Sequence, residues 1–327
     1  MGETMRAVVL SEPGPVENLM LTELPVPEVR PGWVRIAVRV FGLNRSELHT
    51  RLGLAEGVTF PRVPGIEATG VIDDPSDSGL RRGQQVVAMV GGMGRTYDGG
   101  YAQYTLVPSA QVVPFESDLP WTTLGAVGET LQTAYGSLTT GLDLQAGQTL
   151  LIRGGTSSVG LAAASIAKDL GAIVLSTTRQ ADRMDDLAKQ GVDHPIVDDG
   201  VVAAAVRRIV PDGVDAALEL VGTPTLPDTL AATRVHGTVC FTGMLSNQWI
   251  VPQFYPIGYL PTGVRLTAYD GDAGDLPAGV LQRWVDGLAA GTVSLGPVRV
   301  YPMDRIRDAH DDLEHNRGVG KIVVTTG

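Results

Sequence analysis

The segment Thr149-Leu150-Leu151-Ile152-Arg153-Gly154-Gly155-Thr156-Ser157-Ser158-Val159-Gly160 reads as a short apolar strand, a glycine-rich turn and the start of a helix. That order builds an anion cradle. Small residues let the backbone approach a pyrophosphate closely, and unpaired N–H groups at a helix start point at it. Against the pattern G-x-G-x-x-G, Gly155, Ser157 and Gly160 fill the three glycine places, so the middle one is serine. Ser157 and Ser158 can cap N–H groups or bond phosphate oxygens, with Thr156 and Val159 completing the cradle. About twenty residues further on, NAD-binding chains carry an acid for the ribose hydroxyls. Here that place reads Ser176-Thr177-Thr178-Arg179-Gln180-Ala181-Asp182-Arg183, with no acid at Thr178 and two arginines after it. Arg179 and Arg183 are four apart and are expected on one face near a helix start, where they can fork a 2′-phosphate. The pattern points to NADPH. The alternative is a solvated helix face paired with Asp182 or Asp186.

Other chemically capable residues carry less. His310, Asp311, Glu314 and His315 cluster at helical spacing, but charged residues late in a surface helix are normally solvated, and no metal site is expected. Asp270, Asp272 and Asp275 loosely match a calcium loop without its glycine order or distal glutamate. Cys240 is the single cysteine, so no disulfide forms within the chain. It is expected to be inert packing inside an apolar strand.

These residues need a scaffold, and two kinds of pattern supply it. Residues 1–125 hold short strands separated by glycine and proline. The clearest are Arg6–Leu10, Trp33–Val40, Ala68–Ile72, Gln85–Val90 and Tyr101–Val107, which predict a compact β domain. From residue 126 to 267 strands alternate with helices. Strands are expected at Leu150–Arg153, Ala172–Thr177, His194–Val197, Val214–Glu219 and Gly237–Thr242. Helices are expected at Ser158–Leu170, Ala181–Gln190, Val201–Val210 and Thr225–Thr233. This alternation predicts an α/β fold with a doubly wound parallel sheet. Residues 268–327 are expected to return to the first domain, with a helix over Leu276–Ala290 and strands at Val298–Tyr301 and Lys321–Thr325. The 327 residues carry a net charge of −11 and only 5% aromatics. Nucleic acid and anionic membranes are therefore poor partners. The N-terminus lacks the form of a signal peptide, no run reaches the roughly 20 apolar residues of a membrane helix, and a cytoplasmic protein is expected.

The chain resembles the medium-chain dehydrogenase/reductases, specifically their zinc-independent quinone oxidoreductase branch. The resemblance is carried by Phe41-Gly42-Leu43-Asn44-Arg45-Ser46-Glu47, Arg51-Leu52-Gly53, Pro61-Arg62-Val63-Pro64-Gly65-Ile66-Glu67-Ala68-Thr69-Gly70, Gly99-Gly100-Tyr101-Ala102-Gln103-Tyr104, the glycine turn, and Gly320-Lys321-Ile322-Val323-Val324. It implies a GroES-like β domain plus a Rossmann domain, an active site in the cleft between them, and a homodimer continued through the edge strand Val264–Ala268. Zinc-dependent relatives place metal ligands where this chain has Asn44, Ile66 and Glu129. Asparagine and isoleucine do not serve as zinc ligands of that type. Without a Lewis acid, simple alcohol oxidation is disfavoured. Hydride delivery to a hydrophobic conjugated carbonyl, a quinone or an enone, remains.

The same resemblance sets Thr133, Gly243 and Met244 near the nicotinamide and gives Asn44 a bond near its ribose, an Asx-turn being the other role open to Asn44. His49 stands where several relatives carry a substrate-facing tyrosine, and can donate a proton near neutral pH. A half-exposed surface histidine is the bland alternative. Tyr101, Tyr104 and Glu129 are further cleft candidates, Glu129 being equally able to pair with Arg51. Leu54–Thr59 and Ser246–Leu260 are expected to shape an apolar pocket. A 2-enoyl-thioester reductase and a non-catalytic, crystallin-like NADPH-binding protein are the competing readings.

Overall fold

A computed structural model of the chain describes residues 2–327. Two compact units emerge. Residues up to Gln132 together with Asp272–Val293 and Pro297–Gly327 form unit 1, and Thr133–Gly271 with Ser294–Gly296 forms unit 2.

Unit 1 begins with β1 (Thr4–Leu10), β2 (Leu19–Pro25), β3 (Trp33–Leu43), β4 (Glu67–Asp74), β5 (Gln85–Met89), β6 (Tyr104–Pro108) and β7 (Val112–Pro114). Alternation drives the longest strand: Val34, Ile36, Val38 and Val40 of β3 all point into the core. Strand β2 was not apparent in the sequence. It forms because it pairs with β1 residue for residue, from Thr4 opposite Pro25 to Leu10 opposite Leu19. The strand expected from Tyr101 starts only at Tyr104, because the Tyr101 and Ala102 N–H groups bond to Pro64 and Gly100 in a tight turn.

Unit 2 carries β8 (Thr149–Arg153), β9 (Ile173–Thr178), β10 (His194–Val197), β11 (Val214–Glu219), β12 (Thr233–Phe241) and β13 (Arg265–Ala268). All pair in parallel, in the order β10-β9-β8-β11-β12-β13. Helices Ser158–Asp169, Met184–Lys189, Ala203–Ile209 and Leu226–Ala232 make the crossovers. The strand order reverses between β8 and β11, so the C-terminal end of β8 is the topological switch point where such sheets take ligands. Strand β13 and the residues to Gly271 belong to this sheet's unit, and residues 126–132 stay with unit 1. Both borders thus lie a few residues from those expected at 125/126 and 267/268.

The chain ends with β14 (Val298–Pro302) and β15 (Lys321–Thr325), which complete unit 1. Its large sheet runs β14-β15-β3-β4-β5-β7, with β6 also on β3. Ile322 lies opposite Leu43 and Val323 opposite Gly42 in the antiparallel β15–β3 pair. That register brings Lys321 to the end of β3, where Asn44 follows. The helix Ile306–Glu314 covers the core through Ile306 and Ala309.

Candidate active site

The glycine turn in unit 2 is built as its residues require. Ser157 caps the twelve-residue helix Ser158–Asp169: its Oγ accepts from Gly160 N at 3.1 Å and donates to the Gly154 carbonyl at 2.8 Å. A Cβ on Gly155 would lie 1.8 Å from Ser176 Oγ, and one on Gly160 would lie 2.7 Å from the Gly154 carbonyl oxygen. Only glycine lets the helix start pass this close to the strands, and Thr156–Val159 stay half-buried at its N-terminal end. The serine in the middle glycine place acts as the cap. Gly243 and Met244 follow β12 at the same C-terminal sheet end, with Gly243 N bonded to the Glu219 carbonyl at 3.1 Å. Thr133 is half-buried at the first position of this unit.

The arginines are arranged differently from the sequence expectation. Gln180 N donates to Thr178 Oγ1 at 3.2 Å, a turn that takes residues 178–180 off a helical path. A single 3-10 turn, Ala181–Arg183, follows, and the helix begins only at Met184. Arg179 therefore stands exposed on the bend after β9 and Arg183 at the helix cap, so they do not share a helical face. Both still border the strand end that carries no acid at Thr178.

An acid not apparent from the motif stands one strand away. Asp198, just past β10, donates its N–H to the Thr178 carbonyl at 2.8 Å and accepts from Thr177 Oγ1 at 3.2 Å. The buried Arg153 neutralises it through a two-point contact, Nε to Oδ2 and Nη2 to Oδ1, and also donates to Asp228 at 2.7 Å. Burial pushes the Asp198 carboxyl up, but the Arg153 bonds outweigh it and hold it below the usual range. The available signal was Arg153 itself, a lone charge in an otherwise apolar strand.

Unit 1 holds a second polar cluster. Asn44 follows β3 and caps the helix Arg45–Arg51, and Asn44 N donates to Glu47 Oε2 at 2.8 Å. Asn44 Nδ2 donates to Glu67 Oε1 at 3.1 Å. The Lys321 ammonium donates to Asn44 Oδ1 and lies 2.7 Å from Glu67 Oε1 and 3.3 Å from Glu129 Oε2. Glu67 Oε2 accepts Glu129 N at 3.1 Å, and Glu47 Oε1 accepts Ile66 N at 2.7 Å. Burial, with Glu67 adding repulsion, raises the Glu47 carboxyl to about 7 against the bonds it accepts. Burial works to lower Lys321, yet Glu67 and Glu129 hold it above the usual lysine range.

Several expected roles change. Tyr101 is fully buried, stacked on Phe41 at 4.4 Å, with its hydroxyl 3.0 Å from His310 Nε2. It is a core residue, not a cleft donor, and burial pushes its hydroxyl further above the usual range. His310 is not a solvated helix residue but is wholly buried, and burial lowers its pKa to about 3, so it is neutral. His49 is buried too, which removes the surface-histidine alternative. Tyr104 is half-buried, with the Arg35 guanidinium 5.9 Å from its ring centroid. Arg51 pairs with Glu314 rather than with Glu129. Asp272 caps its own short turn through Gly274 N at 2.9 Å. Cys240 is buried in β12, and burial raises its thiol. Among the described residues no three His, Cys, Asp or Glu side chains are grouped to hold a metal ion, and no helix is long and apolar enough to cross a membrane.

A unit with a parallel sheet and a glycine-turn switch point, in a chain whose other unit is built on a mainly antiparallel sheet, defines a class, and comparison with known proteins agrees. Residues 30–117 match the alcohol dehydrogenase GroES-like domain, and residues 190–324 match a family described as zinc-binding dehydrogenase. The chain belongs to the medium-chain dehydrogenase/reductase superfamily and is an oxidoreductase that works with a pyridine nucleotide. Within that superfamily it is similar to the quinone oxidoreductases. It is 26% identical to that of Homo sapiens and 27% identical to that of Lama guanicoe, in each case over 98% of this chain and 97% of the relative. A solved NAD-dependent alcohol dehydrogenase superposes with a TM-score of 0.86 at 25% identity, covering 99% of this chain and 100% of the other. Asn44, Ile66 and Glu129 lie outside the span matched by the zinc-binding family.

Proposed function

We propose that the chain is a zinc-independent, NADPH-dependent reductase of quinones or other conjugated carbonyl compounds, working as a homodimer. The observation that carries this reading is the Lys321 ammonium, bonded to Asn44, Glu67 and Glu129. Two of these stand where zinc-dependent relatives place metal ligands. A divalent ion does not fit beside a buried ammonium that already takes their oxygens. The full-length similarity to quinone oxidoreductases supports the acceptor class.

The residues present do fit the nucleotide. Gly155, Thr156, Ser157, Ser158, Val159 and Gly160 would hold the pyrophosphate at the N-terminus of the helix Ser158–Asp169, whose first N–H groups have no partner within the helix. Arg179 and Arg183 would hold the 2′-phosphate beside Thr178, with Asp198 kept neutralised by Arg153. Gly243, Met244 and Thr133 would hold the nicotinamide, and Asn44 its ribose. When bound, NADPH supplies the hydride. The chain's own residues bind and orient, Asn44 offering its amide and His49 a proton to the acceptor oxygen. A conjugated acceptor needs little more than such positioning. The apolar side chains of residues 246–260, among them Phe254 and Tyr259 at 5.2 Å, suit a hydrophobic acceptor.

The test is NADPH oxidation with 1,4-benzoquinone, an enone and a crotonyl thioester. Turnover of the first two supports the reading. Preference for the thioester favours an enoyl reductase, and binding without any oxidation favours a non-catalytic protein. Arg179→Ala/Arg183→Ala is expected to weaken NADPH binding about 10-fold to 100-fold with little change for NADH, as loss of charge-assisted phosphate bonds implies.

A further inference from the structure

Lysine is almost never fully buried unless paired, and Lys321 is 2% exposed. Its ammonium has three N–H donors, and three oxygens surround it, from Asn44, Glu67 and Glu129. The three come from different segments: the turn after β3, the start of β4, and the helix Gly128–Gly136. The room for this arrangement is made by Gly42, where a Cβ would lie 2.1 Å from Glu67 Oε1 and 2.5 Å from Lys321 Cε. The contacts also fix which way the Asn44 amide points. Its oxygen must face the ammonium and its nitrogen Glu67, since a flip would aim N–H at a cation.

The cluster has an inside and a rim. Lys321, Glu47 and Glu67 are at most 2% exposed, whereas Asn44 is 9% and Glu129 8% exposed. Whatever the ammonium does to a bound molecule therefore passes through those two side chains. Stability alone does not account for it, because a buried ion pair stabilises no more than well-packed apolar residues of similar volume.

We propose that Lys321 is a positioning residue that takes over the part a metal ion plays in zinc-dependent relatives: its fixed charge holds the Asn44 amide and the Glu129 carboxylate oriented for coenzyme and acceptor. This rests on the reading that Asn44 meets the coenzyme. The chemistry it would serve is unchanged: bound coenzyme would supply a hydride to the conjugated acceptor, and His49 or solvent would supply the proton to the acceptor oxygen.

The experiment compares the full chain with Lys321→Met and with the neutralised pair Glu67→Gln/Lys321→Met. It measures thermal midpoint, NADPH affinity by fluorescence, and kcat and KM for 1,4-benzoquinone. The pair is expected to regain the thermal stability that Lys321→Met loses. Its kcat is expected to stay down about 100-fold, the scale of loss that an ångström of misplacement brings. NADPH affinity, set by the cradle of unit 2, is expected to move less than about threefold, well under a tenfold step in binding. A neutralised pair with wild-type kcat overturns the proposal, and so does one that fails to fold, since the charges would then serve the fold. Should the native chain bind NADPH yet reduce no acceptor, the functional reading fails separately. The Asn44 side-chain amide resonance then decides. A shift on adding NADPH to the native chain that vanishes in the pair supports the proposal, and equal shifts in both overturn it.

Discussion

Each unit holds a buried cation among acidic side chains, and the two clusters solve that problem differently. In unit 2 the Arg153 fork meets Asp198 at two points and Asp228 at a third. Glu219 beside it takes four bonds, from Val221 N, Gly222 N, Thr225 Oγ1 and Thr229 Oγ1. The planar guanidinium ties β8, β10 and the helix Leu226–Ala232 into one piece beneath the glycine turn. In unit 1 the cation is a point charge that three oxygens surround, one of them an amide. A fork imposes direction and locks a frame. An ammonium accepts oxygens from any side, as a metal ion does, and so can arrange groups around a reacting centre. On the proposed function, the first cluster holds the fold and the second sets the site.

The largest expected effect sharpens this at the frame. Arg153→Met strands Asp198 and Asp228, and should cost about 3–5 kcal/mol in urea unfolding, the range for breaking a buried pair. A cost below about 1 kcal/mol, typical of exposed pairs, would erase the contrast.

Next comes pH, on which the clusters should move in opposite directions. Glu47 has a folded pKa of about 7 against the ordinary 4.5. Its contribution is fully present below the lower value and is lost as pH rises through the higher one, about 3 kcal/mol in all. Asn44, Glu67, Lys321 and Tyr101 face it. Asp198 is held below its ordinary value, so its contribution is present above that value and is lost on acidification. Calorimetry of the native chain and of Glu47→Gln between about pH 5 and about pH 8 should show a fall in the first that is flattened in the second. Parallel curves would sink the assignment.

Gly42→Ala is the smallest change. The added methyl meets Glu67 Oε1 and Lys321 Cε. It should destabilise by about 1–3 kcal/mol, as overpacking does, and should lower kcat beyond what the lost stability explains.

Much of this was legible in the sequence. The glycine turn, the alternation of strands and helices and the C-terminal return are local patterns, and periodicity reports them. What stayed hidden depends on partners distant in the chain. Strand β2 is defined by β1. Arg179 and Arg183 lost their shared face because the Thr178 hydroxyl captures Gln180 N. Tyr101 and His310, 209 residues apart, meet only in the folded core. Lys321 reads as an ordinary strand residue until the register of β15 on β3 sets it beside Asn44. The motif carrying Asn44 was visible, but the cation that organises it was not.

A reductase that works without a metal keeps its turnover when zinc is removed. The most direct measurement is NADPH oxidation by 1,4-benzoquinone after exhaustive chelation, with zinc content of the same sample determined by mass spectrometry. Undiminished turnover in zinc-free protein, with no gain on adding zinc, is expected. Activity that disappears on chelation and returns with zinc would contradict it.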